Sequence, residues 1–228
     1  MKLTLIESKI INKPSQTNIS PYLVDIQINK EIVLAYNSIC NDYIKKDINV
    51  KVSYCDNINR KSKYTLEMIK INDKWIGINL MNVNKLFIEC IENSLLEDFK
   101  YYKIEQSDVK LSNFKLDFSL HNNYEKMYVN IDGIYLIEII NHKTVAIFNS
   151  ERIQKQIDNS IKLKNEGYNI VLVFIVQQED VDFFYCEKVE EFDFIYCYKF
   201  KCLKNSIKFL EKLDNSPLHF SAEKYIYK

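Results

Sequence analysis

An unbroken apolar run from Ile170 to Val176 constrains the fold of this 228-residue chain more than any other segment. A strand that is apolar without alternation is buried on both faces, and such strands lie inside sheets beside parallel neighbours. The preceding segment, Ser150–Glu166, carries isoleucine at helical spacing and stops at Gly167. A helix that leads into a buried parallel strand implies a right-handed crossover, so the sequence predicts an α/β domain here.

The first 80 residues show a different pattern, made of short runs rich in β-branched and aromatic residues. Turn residues separate the candidate strands, which are Leu3–Ile11, Tyr22–Ile28, Glu31–Tyr36, Val50–Cys55, Tyr64–Ile71 and Lys74–Ile78. Five or six short strands in so little sequence favour a small antiparallel barrel over a sandwich.

The periodicity changes near Leu80 from that of strands to that of a helix. Asn84–Phe99 has apolar residues at helical spacing, with Asn82 or Asn84 available as its N-cap. Later candidate strands are Asn113–Leu120, Met127–Ile131, Ile134–Ile140, Thr144–Phe148, Phe192–Lys201 and a short one at Ile207–Leu210. We therefore predict two domains, residues 1–80 and 81–228, which pack tightly because no Pro/Gly linker separates them.

Charge and cysteine content limit the partners and the compartment. The chain has 31 Lys and Arg residues against 31 Asp and Glu residues, so nucleic-acid binding would need a local basic patch. Its six cysteines include no CxxC pair, its first residues lack an apolar signal segment, and no stretch approaches the roughly 20 apolar residues of a membrane helix. With the abundance of Asn, Ile and Lys that is typical of AT-rich genomes, these features predict a bacterial cytoplasmic protein with no membrane contact.

Polar side chains interrupt two adjacent candidate strands. Asp117 lies between apolar residues on one strand, and Asn130 and Asp132 alternate with apolar residues on the next. Because strand side chains alternate faces, Asn130 and Asp132 point the same way. A carboxylate on one strand beside a carboxylate-x-lysine on the next is the arrangement of a metal-dependent nuclease. Here Asn occupies the second carboxylate position and Asp occupies the lysine position.

Several segments occur in the order and spacing of a known family. In Cys55–Glu67, basic residues precede a sequence that matches the family motif "YTLE". Four further segments match family motifs: Trp75–Leu86 ("VGVNT…PNRL"), Lys115–Phe118 ("RIDF"), Ser150–Lys155 ("TERGQKH") and Val171–Gln177 ("VLLFVVQR"). Over nearly its whole length the chain resembles the sugar fermentation stimulation protein A (SfsA) family. The resemblance implies a mixed α/β protein in which an N-terminal OB-like β-barrel precedes a PD-(D/E)xK nuclease-like domain with a central mixed sheet.

The chain departs from the family pattern at the positions that would carry the chemistry. The family's "VEVK" strand aligns with Val129–Asp132, so its Glu and Lys are replaced by Asn and Asp. Of the "HCPNTG" loop only Asn37 is recognisable. The "FPDA" segment is shortened to Phe148–Asn149, and a helix around Glu187–Phe192 is mostly deleted.

These departures leave two interpretations of the candidate nuclease site. An active nuclease would use Mg²⁺ or Mn²⁺, with Asp117, Asn130 and Asp132 as candidate ligands. Its candidate catalytic residues are Asp117, Asp132 and Lys155. In the alternative, which we favour, the site performs little or no hydrolysis, and Lys155 belongs to a solvated helix face.

A basic segment with an aromatic residue is the candidate nucleic-acid contact. Arg60, Lys61, Lys63 and Tyr64 would form a phosphate-binding loop with a stacking platform, as in OB-folds, and Arg152 is a further candidate. The alternative is a solvated hairpin turn. We expect weak, salt-dependent binding of DNA or RNA. The zero net charge keeps a third hypothesis open, a non-catalytic protein-interaction module that has retained the fold.

Overall fold

A computed structural model describes residues 1–39, 44–134, 137–148, 150–186 and 194–214 of the chain. It confirms the predicted fold class, because a closed five-stranded barrel precedes a mixed sheet flanked by helices. The predicted deletion around Glu187–Phe192 lies outside the described residues, as do Asn149 and Cys40. Within the described residues, no helix is long and apolar enough to cross a membrane.

The barrel contains five strands, and a sixth strand extends it. They are β1 (Ile6–Asn12), β2 (Leu23–Ile28), β3 (Glu31–Tyr36), β4 (Asn49–Tyr54), β5 (Tyr64–Ile71) and β6 (Lys74–Gly77). The order is β3-β2-β1-β4-β5-β6, and β3 closes the barrel by pairing in parallel with β5 at Ala35↔Tyr64 and Tyr36↔Thr65. Apolar side chains that alternate along these strands fill the interior, among them Val24, Ile26 and Val52.

A buried carboxylate organises the loop between β1 and β2. Asp25 is 3% exposed, and its Oδ1 accepts a hydrogen bond from Ser15 Oγ at 2.5 Å. Its Oδ2 accepts from the Gln16 backbone N–H at 2.9 Å and from Asn12 Nδ2 at 3.1 Å. Burial raises the pKa of Asp25, but the three hydrogen bonds outweigh burial and hold this pKa below the ordinary 3.8.

The second part of the chain builds two sheets and two helices. Its elements are α1 (Val83–Glu92), β7 (Lys103–Leu111), β8 (Phe114–His121), β9 (Lys126–Ile134), β10 (Ile137–Ile140), β11 (Lys143–Phe148), α2 (Glu151–Asn165), β12 (Ile170–Val176), β13 (Phe183–Cys186), β14 (Ile195–Cys202) and β15 (Ile207–Leu213). The main sheet has the order β15-β14-β12-β9-β8-β7, in which β9, β12 and β14 are parallel. A smaller sheet has the order β10-β11-β13.

The predicted buried strand lies at the centre of the main sheet. All seven residues of β12 are buried, and the strand pairs in parallel with β9 and β14. Val171 and Val173 pack in the core cluster that includes α1, whereas Leu172 and Phe174 pack in the cluster that includes α2. The apolar run therefore serves two cores, and this double burial explains why it lacks alternation.

Three sequence predictions need correction. The helix predicted over Asn84–Phe99 ends at Glu92, and a separate 3-10 turn forms at Glu97–Phe99. The strand predicted over Ile134–Ile140 is divided, because β9 continues to Ile134 and β10 begins at Ile137. Two strands were missed, β7 and β13, and most of β7 is exposed, so it carries little apolar pattern. The division into domains at residue 80 stays a prediction.

Asp25 should give the protein an acid-sensitive stability. Because the folded-state pKa of Asp25 is below its ordinary value, its contribution is present above about pH 4 and is lost as the pH falls through the folded pKa. We expect Asp25→Asn to lower the free energy of unfolding at pH 7 by about 1–2 kcal/mol and to flatten its decline below pH 4. Urea unfolding at pH 7, 5, 4 and 3 measures both effects. Asp73→Asn is the matched control, since Asp73 is 96% exposed; an equal effect in both variants would contradict the prediction.

Candidate functional site

A network of hydrogen bonds centred on Glu67 connects the barrel to the main sheet. Glu67 is 4% exposed, and its Oε1 accepts from Ser53 Oγ at 2.6 Å. Its Oε2 accepts from Asn79 Nδ2 at 2.9 Å and from Asn82 Nδ2 at 2.6 Å. The carboxylate on β5 thereby fixes the chain where it passes from the barrel into α1.

The asparagines at this junction make tertiary contacts rather than the predicted helix cap. Asn82 occupies the N-cap position of α1 without a capping side-chain bond, because its amide donates to Glu67. Asn84 Nδ2 donates instead to Asp117 Oδ1 at 3.0 Å. Asn79 caps the preceding 3-10 turn, since its Oδ1 accepts from the Met81 N–H, and Ser38 Oγ accepts from the Leu80 N–H of the same turn. The beginning of α1 is therefore tied both to the barrel and to β8.

Asp117 lies where β8 and β9 separate. The last paired positions on this side are Phe118 and Val129, so Asp117 and Asn130 are not paired with each other between β8 and β9, although Asn130 pairs with Leu172 of β12. Asp117 Oδ2 accepts the Ile131 backbone N–H at 2.8 Å, in place of a strand carbonyl. Both carboxylate oxygens of Asp117 are thus hydrogen-bonded within the protein.

Asp132 is buried and paired with a cation from α2. Its Oδ1 accepts from Arg152 Nη2 at 2.5 Å and from the Gly133 N–H at 2.7 Å. Burial raises the pKa of Asp132 above its ordinary value, and the charge of Asp117 adds to this effect, although Arg152 opposes it. Asp132 Oδ2 is buried without a hydrogen bond to any residue that the structure describes.

The predicted metal ligands do not fit a hard divalent cation. Mg²⁺ and Mn²⁺ prefer several oxygen ligands with negative charge among them. Asp117 and Asp132 are close enough for their charges to interact, but Arg152 already neutralises Asp132. Asn130 adds only a neutral amide. In the described part of the chain, no group of three His, Cys, Asp or Glu side chains is placed to hold a metal.

The two candidate cations on α2 occupy different environments. Arg152 is the second residue of α2, and its ion pair with Asp132 holds α2 against β9, although its side chain is 60% exposed. Lys155 is exposed on α2, and among the described residues it forms no hydrogen bond or ion pair with either carboxylate. The structure thus brings together Asp117, Asp132 and Arg152, and leaves Lys155 apart.

The basic segment forms the loop between β4 and β5. Arg60 Nη2 donates to Thr65 Oγ1 at 2.9 Å, which holds the arginine against the barrel. Lys61 and Lys63 are exposed, and Tyr64 packs edge-on against Tyr54 with ring centroids 5.4 Å apart.

A cavity of about 330 Å³, which we call the first groove, separates this loop from the β1–β2 loop. Its described lining residues are Asn18, Ser20, Tyr22, Leu23, Tyr36, Arg60, Lys61 and Ser62, and none of them is acidic. Sequence reasoning missed Tyr22 and Tyr36. The available signal was their position directly before β2 and at the end of β3, where barrel closure brings loops together.

Comparison with known proteins relates this chain to one family. Residues 81–209 match the family model described as the sugar fermentation stimulation protein RE domain. The sugar fermentation stimulation protein homolog of Caldanaerobacter subterraneus is 30% identical over 125 residues, which are 55% of this chain and 54% of that protein. The homolog of Pelagibacter ubique is 28% identical over 186 residues, 79% of this chain and 77% of that protein.

A solved structure has the same fold along nearly the whole chain. The Pyrococcus furiosus SfsA structure, described as a complex with Ca²⁺, superposes with a TM-score of 0.78 at 18% identity and covers 95% of this chain and 99% of that one. The sequence matches are shorter, since this chain spans only about half the length of the Caldanaerobacter relative. On the family-model match and the shared fold, this chain belongs to the SfsA family.

Proposed function

We propose that this protein binds nucleic acid through the first groove and that its nuclease-like centre does not hydrolyse the bound strand. The observation that carries the proposal is the composition of the groove, where Arg60 and Lys61 lie beside Tyr22 and Tyr36 with no acidic side chain among the described lining residues. OB barrels bind oligonucleotides with the corresponding loops, those between strands 1 and 2 and between strands 4 and 5.

The charge balance of the chain determines the character of this binding. Because 31 basic residues are matched by 31 acidic ones, attraction for a polyanion has to come from local basic surfaces such as this groove. Lys61 and Lys63 would contact phosphates, and the tyrosines would stack on bases. We expect weak affinity for DNA or RNA that declines steeply with salt. The compartment we propose is the cytoplasm, where thiols such as the free Cys90, Cys197 and Cys202 stay reduced.

The pair between Asp132 and Arg152 supports the loss of hydrolysis. Metal-dependent nucleases hold a divalent cation that polarises the phosphoryl oxygen and activates water. The Pyrococcus relative is described as a complex with Ca²⁺. In this chain Asn130 and Asp132 occupy the positions of the Glu and Lys in the family pattern, and Asp132 is paired with Arg152. Asp117 then holds α1 and β9 in place, because it accepts hydrogen bonds from Asn84 of α1 and from the Ile131 N–H of β9. An active enzyme that uses Asp117, Asp132 and Lys155 with Mg²⁺ or Mn²⁺ is the alternative that the tests address.

Removing the loop cations should weaken nucleic-acid binding. We expect Lys61→Ala/Lys63→Ala to lower the affinity for fluorescein-labelled 30-nucleotide DNA and RNA roughly 10-fold at 50 mM salt, and to reduce the salt slope by about 1.4 on single strands. Fluorescence anisotropy across a salt series measures both. Lys103→Ala/Lys110→Ala removes two exposed lysines from β7 and should leave the affinity within about 2-fold of the unmodified protein. Absence of binding by the unmodified protein at low salt would overturn the proposal.

Cleavage should stay at background with either metal. Labelled DNA and RNA incubated with Mg²⁺ or Mn²⁺ should remain intact on denaturing gels, because the centre lacks a suitable ligand set. Asp117→Ala protein, purified in parallel, is the control. Cleavage that disappears in this variant would establish the active alternative, whereas cleavage that persists in it would point to a contaminating nuclease.

Breaking the ion pair should destabilise the protein. Arg152→Met leaves a buried carboxylate without its counter-charge, and we expect a loss of about 1–2 kcal/mol in the free energy of unfolding at pH 7. The loss should shrink as the pH falls, because burial raises the pKa of Asp132 and a protonated carboxyl group no longer needs a counter-charge. Lys155→Met on the same helix should change stability by less than about 0.5 kcal/mol. Urea unfolding of both variants, and of Asp132→Asn/Arg152→Met, tests this, because the double variant should recover part of the loss.

A further inference from the structure

We propose that the ligand is a single strand and that it runs from the first groove, across the β1–β2 loop, into a second basic cavity. This inference rests on the proposed nucleic-acid binding and names the class of nucleic acid and its path. The second cavity, which we call the second groove, has a volume of about 810 Å³. Its described lining residues are Lys13, Pro14, Ile19, Ser20, Pro21, Ile44, Lys45 and Lys46.

The two grooves are adjoining parts of one surface. Ser20 lines both of them, so the turn that begins there forms the ridge between the grooves. The second groove contributes Lys13, Lys45 and Lys46, and the first contributes Arg60 and Lys61. A chain with no net charge thus places five cationic side chains along one path over the barrel.

Two acidic residues of the described chain that lie close to this path, Asp47 and Asp25, are engaged in other contacts. Asp47, the neighbour of Lys46, lies 3.2 Å from Lys9 Nζ in an ion pair. Asp25 lies under the β1–β2 loop, 3% exposed, and binds donors of that loop. Lys45, Lys46 and Lys61 are exposed, and no acidic side chain is among the described lining residues of either groove, which favours a polyanion as the ligand.

Hydrogen bonds hold the ridge in a fixed conformation. The Leu23 N–H donates to the Ser20 carbonyl at 3.1 Å and closes the turn. The Asn37 N–H donates to the Tyr22 carbonyl at 2.9 Å, which joins the ridge to the end of β3. Since the bonds of Asp25 secure the other half of the loop, the two grooves are shaped before a ligand arrives, and binding then costs less conformational entropy.

Exposed apolar faces on the ridge favour a single strand over a duplex. Ile19 is 89% exposed on the side of the second groove, and Tyr22 is 47% exposed on the side of the first. Such faces stack against bases that are free of a partner strand, whereas a duplex keeps its bases stacked inside and offers phosphates alone. OB barrels take about 4–16 nucleotides of single strand, and a path through two grooves falls at the longer end of that range.

Substitution of the lysines in the second groove tests the path. We expect Lys45→Ala/Lys46→Ala to lower the affinity for fluorescein-labelled 15-mer oligo-dT at least 5-fold and to reduce the salt slope by about 1.4, the value for two phosphate contacts on a single strand. Lys103→Ala/Lys110→Ala should bind as the unmodified protein does. Circular dichroism confirms that each variant is folded. A 15-mer with 5-iodouracil should crosslink to Tyr22 under ultraviolet light, and mass spectrometry maps the adduct.

The outcomes separate this inference from the proposed function. If Lys61→Ala/Lys63→Ala weakens binding while Lys45→Ala/Lys46→Ala does not, the path is wrong and the first groove stands. If neither variant weakens binding, the proposed function fails as well. A 15-base-pair duplex that competes as strongly as the 15-mer would overturn the single-strand assignment. Equal competition by a 15-residue polyglutamate would identify a general polyanion surface and would also overturn it.

Discussion

The buried carboxylate of Glu67 is the contact on which the relation between barrel and sheet depends. A carboxylate removed from water is stable only when donors surround it, and here Ser53, Asn79 and Asn82 supply them. Two of the three donors lie in the segment that leads out of the barrel, so satisfying Glu67 also places the first turn of α1. Asn84, two residues beyond Asn82, donates to Asp117, so the segment that Glu67 anchors also contacts β8 of the main sheet.

Three acidic side chains near this junction stabilise different parts of the fold. Glu67 joins two parts of the protein, Asp117 replaces a missing strand contact, and Asp132 holds the N-terminal end of α2 through Arg152. In each case the carboxylate accepts hydrogen bonds that an apolar side chain could not accept. Asp117 and Asp132, the two carboxylates at the candidate nuclease site, thus each make contacts that hold neighbouring parts of the fold together.

Much of this fold follows from the sequence, because its strongest patterns are local. The barrel strands appear as short β-rich runs, and the double burial of β12 is visible as a run without alternation. The strand β7 could not be predicted in this way because it is mostly exposed. The contacts of the site could not be predicted for another reason. Asn82 and Glu67 are 15 residues apart, and Arg152 and Asp132 are 20 apart, so the sequence around one residue does not identify its partner.

The pair between Arg152 and Asp132 also links the position of a helix to the protonation of one buried carboxyl group. Burial raises the pKa of Asp132 above its ordinary value, and the positive charge of Arg152 opposes that rise. When Asp132 takes up a proton as the pH falls, the contact that holds the N-terminal end of α2 against β9 loses the attraction between opposite charges. The seating of α2 on the sheet therefore depends on pH as well as on packing.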